Sequence, residues 1–266
     1  MNRIDRTFAE LKEEGRAAFS VYLCAGDPDL ETTHDLILAL EDAGVDFVEL
    51  GMPFSDPIAD GPVIQAAGQR SLDRGTRLPD VLDLAARVRQ QSDIPIALMT
   101  YYNLAHRFGL ETLVAEAGRA GIDGLILPDL IPEEASDLIA LARPADLATV
   151  FFVAPTSTDE RVQLAEQAAT GFIYCVSVTG ITGARDALPP DLRGYLERVR
   201  ARTTKPLVVG FGVSKPEHVR LLAQVADGII VGSAVIREIE AAADLPRGQL
   251  VEEVAAFAGT LAAATR

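Results

Sequence analysis

Short apolar runs alternate with segments of helical periodicity along most of the chain. The apolar runs are rich in β-branched and aromatic residues, which is typical of strands that are buried on both faces. The pattern predicts eight strands, at 19–24, 47–50, 95–99, 124–127, 149–153, 172–176, 207–210 and 228–231. Strands of this kind form a parallel sheet that is covered by helices.

The segments between the strands place apolar residues three or four positions apart, as amphipathic helices do. The clearest helical segments are 31–44, 78–90, 110–121, 133–142, 159–169 and 216–226. An extra helix is predicted before the first strand and a short one after the last. Eight strand–helix units favour a single-domain (β/α)8 TIM barrel spanning residues 1–266. An open doubly wound sheet is disfavoured, because no G-x-G-x-x-G motif follows the first strand.

Charge and apolar run length limit the possible partners. The formal net charge is −15 at pH 7. Nucleic acids and anionic membranes attract basic surfaces, so neither is expected as a partner. The first residues form a charged amphipathic pattern instead of a signal peptide, and no apolar run is long enough to span a bilayer. We therefore expect a cytoplasmic protein.

The cysteines and histidines do not form a pattern that predicts a metal site. Cys24 and Cys175 lie far apart inside apolar runs, so both are predicted to be buried thiols and not a disulfide pair. His34, His106 and His218 have no acid at ligand spacing, and surface or capping roles are expected for them.

Two carboxylates flank a loop rich in proline and glycine in the segment ELGMPFSDPIADGP, which runs from Glu49 to Pro62. Glu49 closes the second predicted strand, and Asp60 lies further along the loop that follows it. In a (β/α)8 barrel, chemistry collects at these strand ends. One interpretation is that Glu49 pairs with a basic residue and Asp60 caps the next helix. Two acids on one rigid loop favour acid/base chemistry instead.

Three glycine-rich segments follow the last three strands: VSVTGITG at 176–183, GFGVS at 210–214 and VGSAVI at 231–236. Each of them alone would be explained by a tight turn between a strand and a helix. Together they predict a phosphate site built from backbone amides, since Gly232 and Ser233 lead directly into a short helical pattern whose first amides are free to bind an anion.

The chain resembles the tryptophan synthase alpha subunit in these motifs and in AGDPD at 25–29, IYCVSVTGITGAR at 173–185 and DGIIVGSA at 227–234. The resemblance implies a retro-aldol lyase that splits indole-3-glycerol phosphate into indole and glyceraldehyde 3-phosphate. It implies Glu49 as general acid/base and Asp60 as the carboxylate that binds the indole nitrogen. An apolar pocket should raise the pKa of Glu49, whereas loop amides should keep that of Asp60 low.

The resemblance also implies the remaining contacts. Tyr174 would contact the glycerol portion, and Thr182 would meet Asp60 when a lid at 179–194 closes. Further implied contacts are Tyr22, Leu98, Tyr101 and Phe211 for the substrate, Gly183, Gly212, Gly232 and Ser233 for the phosphate, and Asp56, Asn103 and Asp129 on the rim that faces a partner.

That partner would be the beta subunit in an α2β2 complex. Pyridoxal phosphate is expected only in the beta subunit, and no cofactor is expected in this chain. The chain departs from the family pattern at Val21, Cys24 and Ile131.

Three other functions are compatible with parts of the pattern. A sister barrel such as indole-glycerol-phosphate synthase would need a lysine at a strand end, whereas Lys205 precedes the seventh strand. A regulatory barrel would be expected to lack one carboxylate or the lid. A stand-alone lyase that releases free indole would carry the same residues and is distinguished by its independence of a beta subunit.

Overall fold

The computed structural model describes residues 1–176, 191–210 and 212–266. Its strands are β1 Ala18–Cys24, β2 Phe47–Gly51, β3 Ile96–Met99, β4 Gly124–Ile126, β5 Ala148–Val153, β6 Ile173–Val176, β7 Leu207–Gly210 and β8 Gly228–Val231. They form a closed barrel in chain order, and β8 pairs with β1. All neighbouring strands are parallel, and each predicted strand agrees with the observed one to within one residue at each end. The predicted (β/α)8 barrel is confirmed.

Helices surround the barrel. The α-helices described are α1 Arg3–Glu14, α2 Leu30–Asp42, α3 Pro62–Asp73, α4 Leu78–Arg89, α5 Tyr102–Phe108, α6 Leu110–Ala120, α7 Ser136–Ala142, α8 Asp159–Ala168, α9 Leu192–Arg200, α10 Pro216–Ala223, α11 Ser233–Ala241 and α12 Arg247–Ala262. Two single 3-10 turns lie at Pro132–Glu134 and Ala263–Thr265. Among residues 1–176, 191–210 and 212–266, no helix is long and apolar enough to cross a membrane.

The extra helix α1 closes the amino end of the barrel. Asn2 caps its first turn by accepting a hydrogen bond from the Asp5 amide, and Gly15 ends it in the left-handed conformation with φ of 69°. Its residue Phe8 packs against Phe47 and Phe172, with ring centroids 5.9 and 5.8 Å away. This aromatic cluster fills the floor of the barrel, so a cavity inside the barrel opens at the other end.

Strand register decides which side chains point into the barrel. Tyr22 lies opposite Glu49, and Glu49 lies opposite Ala97. Because side chains alternate between the two faces of a strand, Tyr22, Glu49 and their second neighbours share the interior face. The residues between them face the helices.

Four side chains repeat one contact at the amino end of the barrel. Asp46, Asp123, Thr170 and Asp227 precede β2, β4, β6 and β8, and each accepts a hydrogen bond from a backbone amide of the preceding strand. For Asp46 the donor is Phe19, at 2.7 Å, and for Asp123 it is Ile96, at 2.9 Å. Each contact ties two consecutive strands together where the ladder begins.

Candidate active site

A cavity of about 300 Å³ opens at the carboxyl ends of the strands. Its described lining consists of Tyr22, Glu49, Ala59, Asp60, Ile64, Met99, Pro128, Phe152, Tyr174, Val176, Gly210, Gly212, Ile230, Gly232 and Ser233. Two of these residues are acids, and the described lining contains no lysine, arginine or histidine. The cavity therefore joins two carboxylates to an apolar, glycine-rich wall.

Glu49 is a buried acid without a cationic partner in the described part of the chain. Only 2% of its surface is exposed. The Tyr174 hydroxyl donates a hydrogen bond to its Oε2 at 3.2 Å. Burial raises the pKa of Glu49 to about 8; the Tyr174 hydrogen bond lowers it and the nearby Asp60 charge raises it further. The interpretation of Glu49 as half of an ion pair is not supported, and the prediction of a raised pKa is confirmed.

Asp60 reaches the same cavity from the loop after β2. It is 7% exposed, and burial raises its pKa to about 6, while a hydrogen bond with Tyr101 lowers it. The prediction that loop amides keep this pKa low is wrong, because loss of water around the carboxylate outweighs its hydrogen bonding. Asp60 also does not cap α3, whose capping position is taken by Gly61. At neutral pH the two acids differ, with Glu49 mostly protonated and Asp60 mostly ionised.

Two glycines make room for the two tyrosines of the cavity. A Cβ on Gly51 would overlap the Tyr22 hydroxyl, and a Cβ on Gly210 would lie 2.8 Å from Tyr174 Cε1. The Tyr174 ring also stacks on Phe152, with centroids 4.7 Å apart. A side chain at either glycine would push a tyrosine into the space that a ligand needs.

The predicted phosphate residues that the structure describes belong to the same cavity. Gly212, Gly232 and Ser233 all line it, and α11 begins at Ser233. The first amides of a helix have no acceptor within the helix and carry the positive end of its dipole, so they favour an anion. Gly212 has φ of 67°, a conformation that favours glycine. Three of the four residues predicted to bind the phosphate thus line the same cavity.

Three predicted contacts, Thr182, Gly183 and Phe211, lie outside the described residues. Most of the segment proposed as a lid does so as well. Its last residues, 192–194, belong to α9, which begins at Leu192.

Leu98 does not line the cavity, which corrects the sequence prediction. It lies opposite Leu50 on the face of the sheet that packs on helices, and it is fully buried. Its neighbour Met99 lines the cavity instead. The error is one residue along a strand, which moves a side chain to the other face. Pro128 and Phe152 were not predicted as lining residues either. Until the strand register is known, the sequence does not distinguish an apolar residue that lines a cavity from one that packs in the core.

The predicted rim residues lie outside the cavity. Asp56 and Asn103 are exposed and border a groove of about 730 Å³ beside α4 and α5. Asp129 accepts hydrogen bonds from the Tyr102 amide at 2.8 and 3.1 Å, so it also holds the start of α5. Two large apolar side chains, Ile58 and Ile131, are 82% and 40% exposed on loops of the same end.

The histidines only partly follow the prediction of surface or capping roles. His106 is exposed, whereas His34 and His218 are buried, at 7% and 6% exposure, because their helices pack them against neighbouring elements. Cys24 and Cys175 are buried free thiols, as predicted. Among the described residues there is no group of three or more His, Cys, Asp or Glu side chains able to hold a metal ion.

Asp27 is the other buried acid near this end, at 2% exposure. Its two oxygens accept hydrogen bonds from Nε and Nη2 of Arg70, both at 2.8 Å. It therefore ties the first loop to α3 and does not reach the cavity.

Comparisons with known proteins show the family to which the chain belongs. Residues 8–266 match the family model described as "Tryptophan synthase alpha chain". The alpha chain from Caldanaerobacter subterraneus subsp. tengcongensis is 46% identical over 257 residues, which cover 97% of both chains. The alpha chain from Solibacter usitatus is 49% identical over 240 residues, or 90% of each chain. A Mycobacterium tuberculosis tryptophan synthase structure superimposes with a TM-score of 0.91 at 35% identity, covering 100% of this chain and 98% of that one.

Proposed function

Because the chain belongs to the tryptophan synthase alpha chain family, and is therefore a lyase that cleaves indole-3-glycerol phosphate in tryptophan biosynthesis, we propose that Glu49 and Asp60 carry out this cleavage in the cavity. The observation that supports the proposal is a pair of buried acids with pKa values of about 8 and about 6 in one pocket. Such a split is what two carboxyl groups with different roles require.

Glu49 acts first as an acid and then as a base. Its proton goes to ring carbon C3 of the indole group, which makes the ring an indoleninium cation. The Glu49 carboxylate then removes the proton of the hydroxyl next to the ring as the carbon–carbon bond breaks. The electron pair of that bond returns to the ring, so indole and the aldehyde leave and Glu49 regains its proton.

Asp60 binds the ring N–H and stays ionised. Positive charge develops on that nitrogen when C3 is protonated, and a carboxylate in an apolar cavity stabilises it more strongly than it would in water. Tyr174 orients the Glu49 carboxyl through its hydrogen bond of 3.2 Å. Tyr101 does the same for Asp60.

The phosphate group is held where α11 begins. The free amides at the start of α11, beside Gly232, together with the Gly212 backbone, replace its water shell. No cationic side chain is needed, because amide dipoles supply the positive potential. This anchoring fixes the distance from the phosphate to the ring and directs C3 toward Glu49.

We further propose that indole passes to a beta subunit in an α2β2 complex and that the beta subunit alone carries pyridoxal phosphate. The supporting observation is the apolar exposure of Ile58 and Ile131 at the end of the barrel where the cavity opens. Asp56 and Asp129 lie on loops of the same end, and Asn103 lies in the first turn of α5. A stand-alone lyase would release indole from this end without such a partner.

The test is indole release from indole-3-glycerol phosphate by the purified chain, alone and with a tryptophan synthase beta subunit. We expect slow release that accelerates at least tenfold with the partner. Equally fast release without the partner would favour the stand-alone lyase. No release under either condition would contradict the cleavage itself.

A matched pair of variants locates the partner surface. Ile58→Arg should abolish most of the acceleration, because it places a charge in an apolar contact. Leu221→Arg, at a 55% exposed residue of α10, is the control and should retain it. Equal acceleration of both variants would place the partner elsewhere.

A further inference from the structure

The loop that carries Asp60 lies beside the segment that follows β3. The Met52 amide, directly after β2, donates a hydrogen bond to the Met99 carbonyl at the end of β3, at 2.8 Å. Two residues further along each segment, the rings of Phe54 and Tyr101 pack against each other, with centroids 5.1 Å apart and an interplanar angle of 33°. The pairing of the two strands therefore continues beyond the sheet as an aromatic contact.

Tyr101 acts on Asp60 from outside the cavity. It is 3% exposed and is not among the described residues that line the cavity. Its hydroxyl accepts a hydrogen bond from the Ala59 amide at 3.1 Å and hydrogen bonds with the Asp60 carboxylate. A hydroxyl has one proton to donate, and that proton goes to the carboxylate because the amide is itself a donor. Tyr101 therefore holds both the side chain of Asp60 and the backbone one residue before it.

The backbone of Tyr101 is held independently of its ring. Its carbonyl accepts hydrogen bonds from the Leu104 and Ala105 amides at 3.0 and 3.1 Å, in the first turn of α5. The amide of the next residue donates to Asp129. What remains free is rotation of the side chain, which decides where the hydroxyl points. Among the described residues, the aromatic ring that packs on Tyr101 is that of Phe54.

Phe54 covers Tyr101 on the side of the groove beside α4 and α5. Phe54 is half-buried and lines this groove, whereas Tyr101 does not. Phe54 is also absent from the described lining of the cavity. Any effect of Phe54 on the reaction must therefore pass through a neighbouring side chain.

We propose that Phe54 is a positioning residue whose ring keeps the Tyr101 hydroxyl on the Asp60 carboxylate. The inference rests on the proposed function, in which Asp60 must be ionised to bind the ring N–H. Burial raises the pKa of Asp60, and the Tyr101 hydrogen bond lowers it. The other described titratable groups that face Asp60 are Tyr22, Cys24, Glu49 and Tyr174. None of them carries a positive charge, so within the described residues the Tyr101 hydrogen bond is what favours the ionised form.

The test compares pH profiles of kcat/KM for indole release by the wild-type chain, Phe54→Leu, Tyr101→Phe and the double variant. Activity should fall below about pH 6, where Asp60 takes up a proton, and above about pH 8, where Glu49 loses one. The substrate phosphate also titrates at about pH 6. It does so equally for every protein, so a difference between two profiles reports the enzyme.

In Phe54→Leu we expect the acid limb of the profile to move up by about half a pH unit or more, because a weaker Tyr101 hydrogen bond favours the ionised carboxylate less. The alkaline limb should stay in place. A purely structural defect would lower the plateau and leave both limbs unmoved. Tyr101→Phe should show a larger shift of the acid limb. The double variant should shift no further than Tyr101→Phe alone, since Phe54 acts through that hydroxyl.

Two further variants separate the ring from the side chain's bulk. Phe54→Tyr keeps an aromatic ring and should restore the wild-type limb. Phe108→Leu is the matched control, because Phe108 lines the same groove and makes no ring contact with Tyr101, so its profile should match wild type. If Phe54→Leu does not fold, Phe54→Met takes its place.

An unmoved acid limb in Phe54→Leu would overturn the inference, and so would an equal shift in Phe108→Leu. Additive shifts in the double variant would also overturn it, because Phe54 would then act by another route than Tyr101. Failure of the wild-type chain to release indole would instead contradict the proposed function. The two failures are therefore distinguishable.

Discussion

Both ends of the barrel hold buried or half-buried acids, but the acids that contact strand amides at the amino end and the two acids of the cavity have different partners. At the amino end, Asp46 receives two hydrogen bonds from Arg16 at 2.8 Å each. Asp123 pairs with Arg3 and Arg89, at 3.0 and 3.2 Å. At the carboxyl end, Glu49 and Asp60 have tyrosine hydroxyls as their side-chain partners, Tyr174 for Glu49 and Tyr101 for Asp60.

The difference shows how one residue type serves stability at one end and chemistry at the other. An acid that accepts hydrogen bonds from a guanidinium group and from a backbone amide can hold two strands together. An acid that is buried without a cation keeps its proton to higher pH, which makes it reactive near neutrality. The amino end therefore holds strands together, and the carboxyl end holds two acids ready for proton transfer.

The largest expected effect is the loss of cleavage in Glu49→Gln. Removing a proton-transfer group should lower kcat about 10²–10⁴-fold, while KM changes little because the phosphate and ring contacts remain. Steady-state release of indole measures both constants. Glu31→Gln, at an exposed glutamate that pairs with Arg87, is the control and should match wild type. Turnover near the wild-type rate in Glu49→Gln would remove Glu49 from the mechanism.

The amino end should respond in stability instead. Asp123→Ala leaves Arg89 without its carboxylate partner, Arg3 with only the exposed Asp93, and the Ile96 amide without the Asp123 acceptor, so we expect a loss of about 3–5 kcal/mol in the free energy of unfolding. Urea denaturation measures this loss. Activity per folded molecule should stay unchanged. If Asp123→Ala unfolds at the same urea concentration as wild type but loses activity, the assignment of stability to the amino end and of catalysis to the carboxyl end would be contradicted.

The pH dependence of stability gives a separate test. A raised pKa in the folded state means that Glu49 contributes stability below pH 4.5, its ordinary value, and that this contribution is lost as pH rises through about 8. Wild type should therefore lose about 2–4 kcal/mol relative to Glu49→Gln between pH 5 and pH 9. Denaturation curves of both proteins across this range give the difference, and parallel pH profiles would contradict the raised pKa.

The smallest effect is expected at Thr170, the uncharged one of the four residues that accept hydrogen bonds from strand amides at the amino end of the barrel. Thr170 accepts from the Thr149 amide at 2.9 Å, where the other three positions use aspartate. Thr170→Val keeps the shape and removes the acceptor, so we expect a loss of about 1 kcal/mol. Measured beside Asp123→Ala in the same denaturant series, it separates the hydrogen bond from the ion pairs. A loss as large as that of Asp123→Ala would mean that the charge contributes little.

Much of the fold could be predicted from the sequence, because strand periodicity and helical spacing are local properties. The strand ends, the extra helix α1 and the short helix α11 all follow from the pattern of neighbouring residues. The choice of Glu49 and Asp60 rested on local signals as well, namely an acid that ends an apolar strand and a second acid in a rigid loop.

The cavity wall and the proton affinities depended on the tertiary structure. Strand register selected Met99 over Leu98, and the pairing of β1 with β2 brought Tyr22 beside Gly51. The pKa of Asp60 was mispredicted because it depends on how much water the assembled cavity excludes, which is a property of packing. The sequence by itself determined which residue types stand at the strand ends; the tertiary structure decided which of them face each other, since contact and desolvation exist only after residues distant in the chain are packed together.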